Sequence, residues 1–311
     1  MRRIVLTVLG LILAVFAALA LNYTRHDLEV ADIDDELRKS APGQFVKTSA
    51  GFVHYQFAGP EHGRVVVLVH GFSVPYYLWT GTFEMLGNAG FRVLRYDLFG
   101  RGLSDRPDVR CDGELFDTQL VELLDALHIQ GSVDLAGASM GGPIIATFAC
   151  RHPERVRTLA FFDPGYSHGQ PVPSKLKMPL LGEYLMAVDI APALPESQRN
   201  DFVHPERFPD WADRYRPQMR FKGFRRALLS TLRNYLPVDW SKDYSCVGAG
   251  AAPVLLVWGK DDRDVPFETS REVRAAIPRA EFLAVDDAAH VPFLERPEIV
   301  HPAFVQFLQA H

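Results

Sequence analysis

The chain has 311 residues, 48% of them hydrophobic and 23% charged, with 33 basic and 38 acidic side chains for a formal charge of −5. Glycine (23) and proline (22) stay near ordinary usage, which excludes collagen-like, disordered and low-complexity chains, and the lack of a basic block argues against a nucleic-acid partner. This length allows two domains, or one with a large insertion, and a core that needs no metal or disulfide staple. The three cysteines, Cys111, Cys150 and Cys246, show no CxxC or Cys/His metal spacing. They predict no disulfide framework and leave room for one bridge.

Met1-Arg2-Arg3 precedes an uncharged apolar run, Ile4–Leu21, of 18 residues. As a helix it would span about 27 Å, enough for a thin hydrocarbon core. Residues 1–22 therefore read as a membrane anchor. Ala18-Leu19-Ala20 is an A-x-A-like site, so a cleaved signal peptide and a secreted product is the alternative. Arg2 and Arg3 predict a cytoplasmic N-terminus, with the remaining chain on the non-cytoplasmic side. Residues 23–43 are polar and charged and read as a spacer.

Gln44–Lys47 and Val53–Phe57 flank Ser49-Ala50-Gly51 in a hairpin pattern. Arg64–His70 is a β-branched run, as in a strand covered on both faces. Phe91–Asp97, Ser132–Ala138, Thr158–Asp163, Pro253–Trp258 and Glu281–Val285 are further strands. Leu120, Leu123, Leu124 and Leu127 share one helical face, predicting a helix over 117–128. Met140–Cys150, Glu268–Ala276 and Glu298–Gln309 are also helical. The alternation predicts an α/β fold with a mostly parallel sheet and helices on both faces, built from 44–164 and 251–311. Residues 165–250 are rich in proline and lack a clear strand. They read as a helical cap with fragments at Leu180–Val188 and Phe224–Tyr235, in which aromatic residues such as Phe202, Phe208 and Trp211 fasten helices to the core. Arg225 and Arg226 read as a solvated helix face.

Gly137-Ala138-Ser139-Met140-Gly141 is G-x-S-x-G between a strand and a helix. A serine on so tight a turn needs glycine neighbours to avoid clashes, and the turn lifts its Oγ above the sheet edge. The helix N-terminus behind it favours negative charge. Ser139 needs a base, and His290 follows the last strand at the same sheet end. A carboxylate beyond another strand end would hold its tautomer; Asp261, Asp262 and Asp264 compete for that place.

Taken in order, His70-Gly71-Phe72, Asp97–Asp105, Gly137–Gly142, Trp258–Pro266 and Ala289–Pro297 resemble the α/β-hydrolase fold family, of the esterase/lipase and meta-cleavage-product hydrolase type, over about residues 45–310. The resemblance implies a Ser139–His290–Asp262 triad, with Asp163 the weaker alternative acid. It implies an oxyanion hole from the backbone N–H groups of Phe72 and Met140, and a loop-holding role for His70. Ala138 departs from the histidine of many relatives. Serine at the elbow separates the chain from dehalogenases and epoxide hydrolases, which use aspartate there. The implied activity is a serine hydrolase of carboxylic esters, lipid or other apolar acyl esters, with no metal or organic cofactor. The alternatives are C–C bond hydrolysis or perhydrolysis by the same triad, and a non-catalytic binding protein.

Overall fold

A computed structural model describes all 311 residues. Eight strands form one sheet: β1 (Gln44–Lys47), β2 (Phe52–Ala58), β3 (Val65–Val69), β4 (Arg92–Tyr96), β5 (Val133–Ala138), β6 (Val156–Phe162), β7 (Val254–Gly259) and β8 (Glu281–Val285). Their order is β1-β2-β4-β3-β5-β6-β7-β8. β1 and β2 pair antiparallel, as does β2 with β4, and every other pair is parallel. The fold is the expected mostly parallel α/β arrangement. All residues of β5 and β7 are buried; β7 accordingly reads as an unbroken apolar run, and β5 as one interrupted only by Asp134, which pairs with Arg64 and Thr158.

Strand alternation divides the interior into two layers. Val67 and Val69 pack into one apolar cluster and Val66 and Leu68 into the other, each cluster holding 34 buried residues. Helix α1 (Arg2–Arg25) has no buried residue and touches the body only through its last turn, and a short α2 (Asp35–Ser40) follows. Helix α3 (Thr80–Asn88) joins β3 to β4. Its sequence, TGTFEMLGN, carries two glycines and two threonines and gives no helical period, yet Phe83 and Leu86 are buried beneath it. Helix α4 runs Gly113–Ala126, starting earlier than the leucine period suggests because the Asp112 carboxylate accepts the Leu115 N–H at 3.2 Å. Helix α5 (Gly141–Arg151) follows β5.

Between β6 and β7 the chain breaks into short helices. Leu181–Leu185 passes through a π-helical turn, Met186–Ile190, into Ala191–Ser197; longer pieces span Phe224–Asn234 and Ser241–Ala249. Phe202 stacks on Phe208 at 4.4 Å, and Trp211 meets Phe202 and Tyr77 edge-on. These rings join the insertion to the sheet layer. Cys150 of α5 and Cys246 of Ser241–Ala249 form a disulfide with Cα atoms 6.0 Å apart, while Cys111 is free and buried.

The stretch after α1 is more than a spacer. Val30 and Ala31 N–H groups donate to the Arg220 carbonyl at 2.9 Å, and Lys222 N–H donates back to Ala31 O at 2.9 Å. Glu29 accepts the N–H groups of Gly223 (3.0 Å) and Arg225 (2.6 Å). The Arg225 side chain, 12% exposed, lies between Asp27 and Glu29, so it is not a solvated residue. Arg226 is more open and pairs with Asp108 at 2.6 Å.

Candidate active site

The end of β5 turns sharply at Ser139, whose φ is +52°. A non-glycine residue there is strained and must be held in place. The Ser139 N–H donates to Phe162 O at 3.0 Å, and Ser139 O accepts N–H bonds from Gly142 (2.9 Å) and Gly165 (2.8 Å). A Cβ at Gly137 would overlap the Gly141 carbonyl, and one at Gly141 would overlap the Val69 carbonyl. The two glycines of the pentapeptide therefore let α5 start directly behind the serine.

The loop after β3 lies against this turn. A Cβ at Gly71 would sit 3.0 Å from Ser139 Cβ and 3.5 Å from its Oγ, so glycine there keeps the space beside the hydroxyl open. His70 holds the loop from below. Its Nε2 accepts the Leu98 N–H at 2.9 Å, which leaves the Nδ1 proton to bond Gly71 O at 2.9 Å. Burial lowers its pKa to about 4, so it stays neutral. Arg101 is fully buried and donates Nε to Phe72 O at 2.8 Å, Nη1 to Phe99 O and Nη2 to Thr231 Oγ1. It ties the 71–72 loop to the insertion. Neither the Phe72 nor the Met140 N–H has a partner within the protein.

His290 follows β8, and Asp262 follows β7. His290 Nδ1 and Asp262 Oδ2 are 2.8 Å apart and buried. Asp262 Oδ1 accepts the Asp264 and Val265 N–H groups at 2.8 and 3.0 Å. Of the three competing aspartates it is therefore Asp262 that meets the imidazole. The neighbouring Lys260 pairs away from the site, with Asp286, at 2.6 Å. No hydrogen bond joins Ser139 Oγ to His290. The two meet across one cavity of about 240 Å³, lined also by Phe72, Leu78, Leu194 and Val291. Apo sites often hold such pairs apart until substrate closes them.

Two further residues help build the site: Glu295, which sequence reasoning passed over, and Asp163, the weaker candidate for the acid. Glu295 is buried and accepts Ala289 N–H at 2.7 Å with one oxygen, and Val203 and His204 N–H at 2.8 and 3.0 Å with the other. It thereby binds the His290 loop to the insertion, and the His290 N–H donates to Asp201 O at 3.0 Å. The second is Asp163, at the end of β6 with φ +42°. Its Oδ1 accepts Gly259 N–H at 2.8 Å, and its Oδ2 is buried without a hydrogen-bond partner. Burial and the nearby Asp262 hold its carboxyl well above the usual range. Asp163, Asp262 and His290 bring one ligand-type atom each within 4.8 Å, close enough for a metal ion. His290 Nδ1 is already bonded to Asp262, however, so the trio as it stands is built to hold protons. Burial opposes charging of His290, but the hydrogen-bonded Asp262 outweighs it and raises its pKa overall.

Residues 64–297 match a family model described as the α/β-hydrolase fold. The chain belongs to the α/β-hydrolase family. It is 29% identical over 295 residues to the 2-hydroxy-6-oxononadienedioate/2-hydroxy-6-oxononatrienedioate hydrolase of Paraburkholderia xenovorans, covering 88% of this chain and 97% of that one. It is 26% identical over 243 residues to Lipase 3 of a Moraxella species, covering 75% and 73%. Among solved structures, the enol-lactonase of Burkholderia xenovorans superposes with a TM-score of 0.73 at 23% identity, covering 85% and 99%; that likeness concerns the fold alone. One N-terminal helix, Arg2–Arg25, is long and apolar enough to cross a membrane, and a signal sequence has the same pattern.

Proposed function

We propose that this hydrolase cleaves carboxylic esters through an acyl-enzyme on Ser139. In this reading His290 Nε2 takes the Ser139 proton as Oγ attacks the ester carbonyl. Asp262 holds the Nδ1–H tautomer and offsets the imidazolium charge. The unpartnered N–H groups of Phe72 and Met140 receive the oxyanion, each worth about 2.7–4 kcal/mol of transition-state stabilisation in comparable sites. The imidazolium then protonates the leaving alcohol. Water, deprotonated by His290, releases the acid and restores the serine. The observation that carries the proposal is the buried 2.8 Å His290–Asp262 bond facing the same cavity as a strained, glycine-flanked serine. All five site residues belong to this proposal in those roles, and no metal or organic cofactor enters it.

A cavity of about 240 Å³ falls below the roughly 300–1,000 Å³ of ordinary ligand pockets. Short acyl esters therefore fit the site as it stands, and long-chain lipid esters need the insertion to open. Anchorage through residues 4–21, with this site on the non-cytoplasmic side, favours substrates at or near a lipid surface. The second reading, C–C hydrolysis of a vinylogous diketone, draws on the 29% identical relative, whose name gives it a dioate substrate. We expect Ser139→Ala to lose ester turnover and labelling by a serine-directed phosphonate. Full labelling of that variant would remove the nucleophile from the scheme, and turnover of a ring-fission product in preference to p-nitrophenyl esters would install the second reading.

A further inference from the structure

We propose that Asp201 and Asp264 make this cavity select by charge, admitting neutral or cationic esters and turning away substrates that carry a carboxylate or another anion. This rests on the ester-hydrolase reading and narrows its substrate class. Both residues line the cavity that holds Ser139 and His290, Asp201 half-buried and Asp264 at its exposed edge, and no lysine or arginine lines it. Its one basic group, His290, is engaged by Asp262 on Nδ1 and has no protein partner on Nε2. Gln198 lines the same wall and is 7% exposed; its Nε2 donates to Leu194 O at 3.2 Å, and its Oε1 has no partner. The polar wall is thus rich in acceptors.

The backbones that carry the two acids are fixed to the frame of the site. The Asp201 carbonyl accepts the His290 N–H at 3.0 Å, and the next turns, Val203 and His204, are bonded to Glu295. Asp264 donates its own N–H to Asp262 Oδ1 at 2.8 Å. Moving either backbone would disturb Asp262 or His290. Asp264 lies within hydrogen-bonding reach of Asp201, and burial together with that neighbour holds the Asp201 carboxyl above its usual range. Two acids on one wall, with no lysine or arginine beside them, give the cavity an acidic face. An incoming anion would lose water and face these acids in a partly dry space, with no lysine or arginine to compensate and with His290 already offset by Asp262. An ammonium group or a hydroxyl would instead find ready acceptors.

The test uses the full-length chain and two series of esters matched in size. One carries the charge on the acyl side: p-nitrophenyl hexanoate, the 6-(trimethylammonio)hexanoate and the adipate monoester. The other carries it on the leaving side: acetyl thioesters of 3,3-dimethylbutanethiol, thiocholine and 2-mercaptoethanesulfonate. In at least one series kcat/KM for the anionic member should fall at least fivefold below the neutral one, with the cationic member at or above it. Asp201→Asn and Asp264→Asn, checked for folding by near-ultraviolet circular dichroism, should each shrink that gap at least twofold. Turnover with less than fivefold discrimination in both series, or a gap that neither variant shrinks, overturns the inference and leaves the ester reading standing. Failure to turn over any of the six esters overturns both together.

Discussion

Two carboxyls face the His290 imidazole from neighbouring strand ends, and the chemistry asks for only one negative charge. Asp262 accepts two backbone N–H bonds on Oδ1 and the imidazole on Oδ2, so its ionised form is fully solvated by the protein. Asp163 has one N–H bond and a buried, unpartnered oxygen, an environment that favours a proton on that atom. Asp163→Asn is isosteric with that neutral form. It should leave the pH profile of kcat/KM unmoved, whereas Asp262→Asn should cost on the order of 10⁴-fold in kcat by freeing the wrong tautomer. In both wild type and Asp163→Asn the acid limb should lie above 6.5, because the His290 pKa is raised and only the neutral imidazole is a base. If Asp163 were charged, removing it would pull the limb to lower pH. Stability follows with the same sign. A carboxyl whose folded pKa is raised favours the fold below its unfolded value of 3.8 and loses that favour as pH rises through the folded value. Asp163→Asn should accordingly raise Tm at pH 8 and leave it unchanged near pH 3, as read by thermal melts at both.

At the scale of elements, the strands and the serine turn were legible because their signals are local. β3 and β7 are buried on both faces and so are written as apolar runs. Gly137 and Gly141 are demanded by backbone atoms a few residues away or on the adjoining strand. Asp262 could be picked from its neighbours only through the family resemblance, since the contact that singles it out spans 28 residues of chain. Helix α3 was hidden because packing of Phe83 and Leu86, not propensity, sustains it. Glu295 was hidden because its partners, Val203 and His204, lie some 90 residues away. The cysteines pose the same problem, for nothing in their spacing pairs Cys150 with Cys246 across 96 positions. The bridge closes a loop containing nearly all of the insertion and ties its last helix to the C-terminal end of α5, the helix that starts behind Ser139. The chain-entropy view assigns a loop of this length about 4–5 kcal/mol, with measured bridges ranging from about 0 to 5. Reduction, or Cys150→Ala with Cys246→Ala, should therefore lower the urea midpoint, and activity should decay earlier in the titration than the far-ultraviolet signal. Coincident loss of both signals, at an unchanged midpoint, would show that the bridge neither forms nor guards the insertion.

The whole molecule is an amphiphile, an apolar helix and a folded body joined by a segment that does not hang free. Asn22 Nδ2 donates to Tyr184 Oη at 2.8 Å, Tyr23 lies under the Arg225 guanidinium at 5.3 Å, and residues 27–31 pair with the insertion. The last turn of α1 thus rests on the same insertion that roofs the cavity. If α1 spans a bilayer, Tyr23 and Tyr184 fall at the interface where aromatic side chains gather, and the insertion faces the lipid surface. An oxidised Cys150–Cys246 pair belongs with that placement, because disulfides persist outside the reducing cytosol. The expectation is that the full chain pellets with membranes, resists carbonate extraction, and retains residues 1–21 by intact mass. A chain lacking residues 1–25 should stay in the supernatant with its ester turnover intact. A chain lacking 1–33 should lose thermal stability, because Arg225 then keeps its half-buried position without Asp27 and Glu29. Recovery of a soluble product beginning after Ala20 would replace the anchor with a secreted enzyme, and equal melting of the two truncations would show that the strap adds nothing to the insertion it crosses.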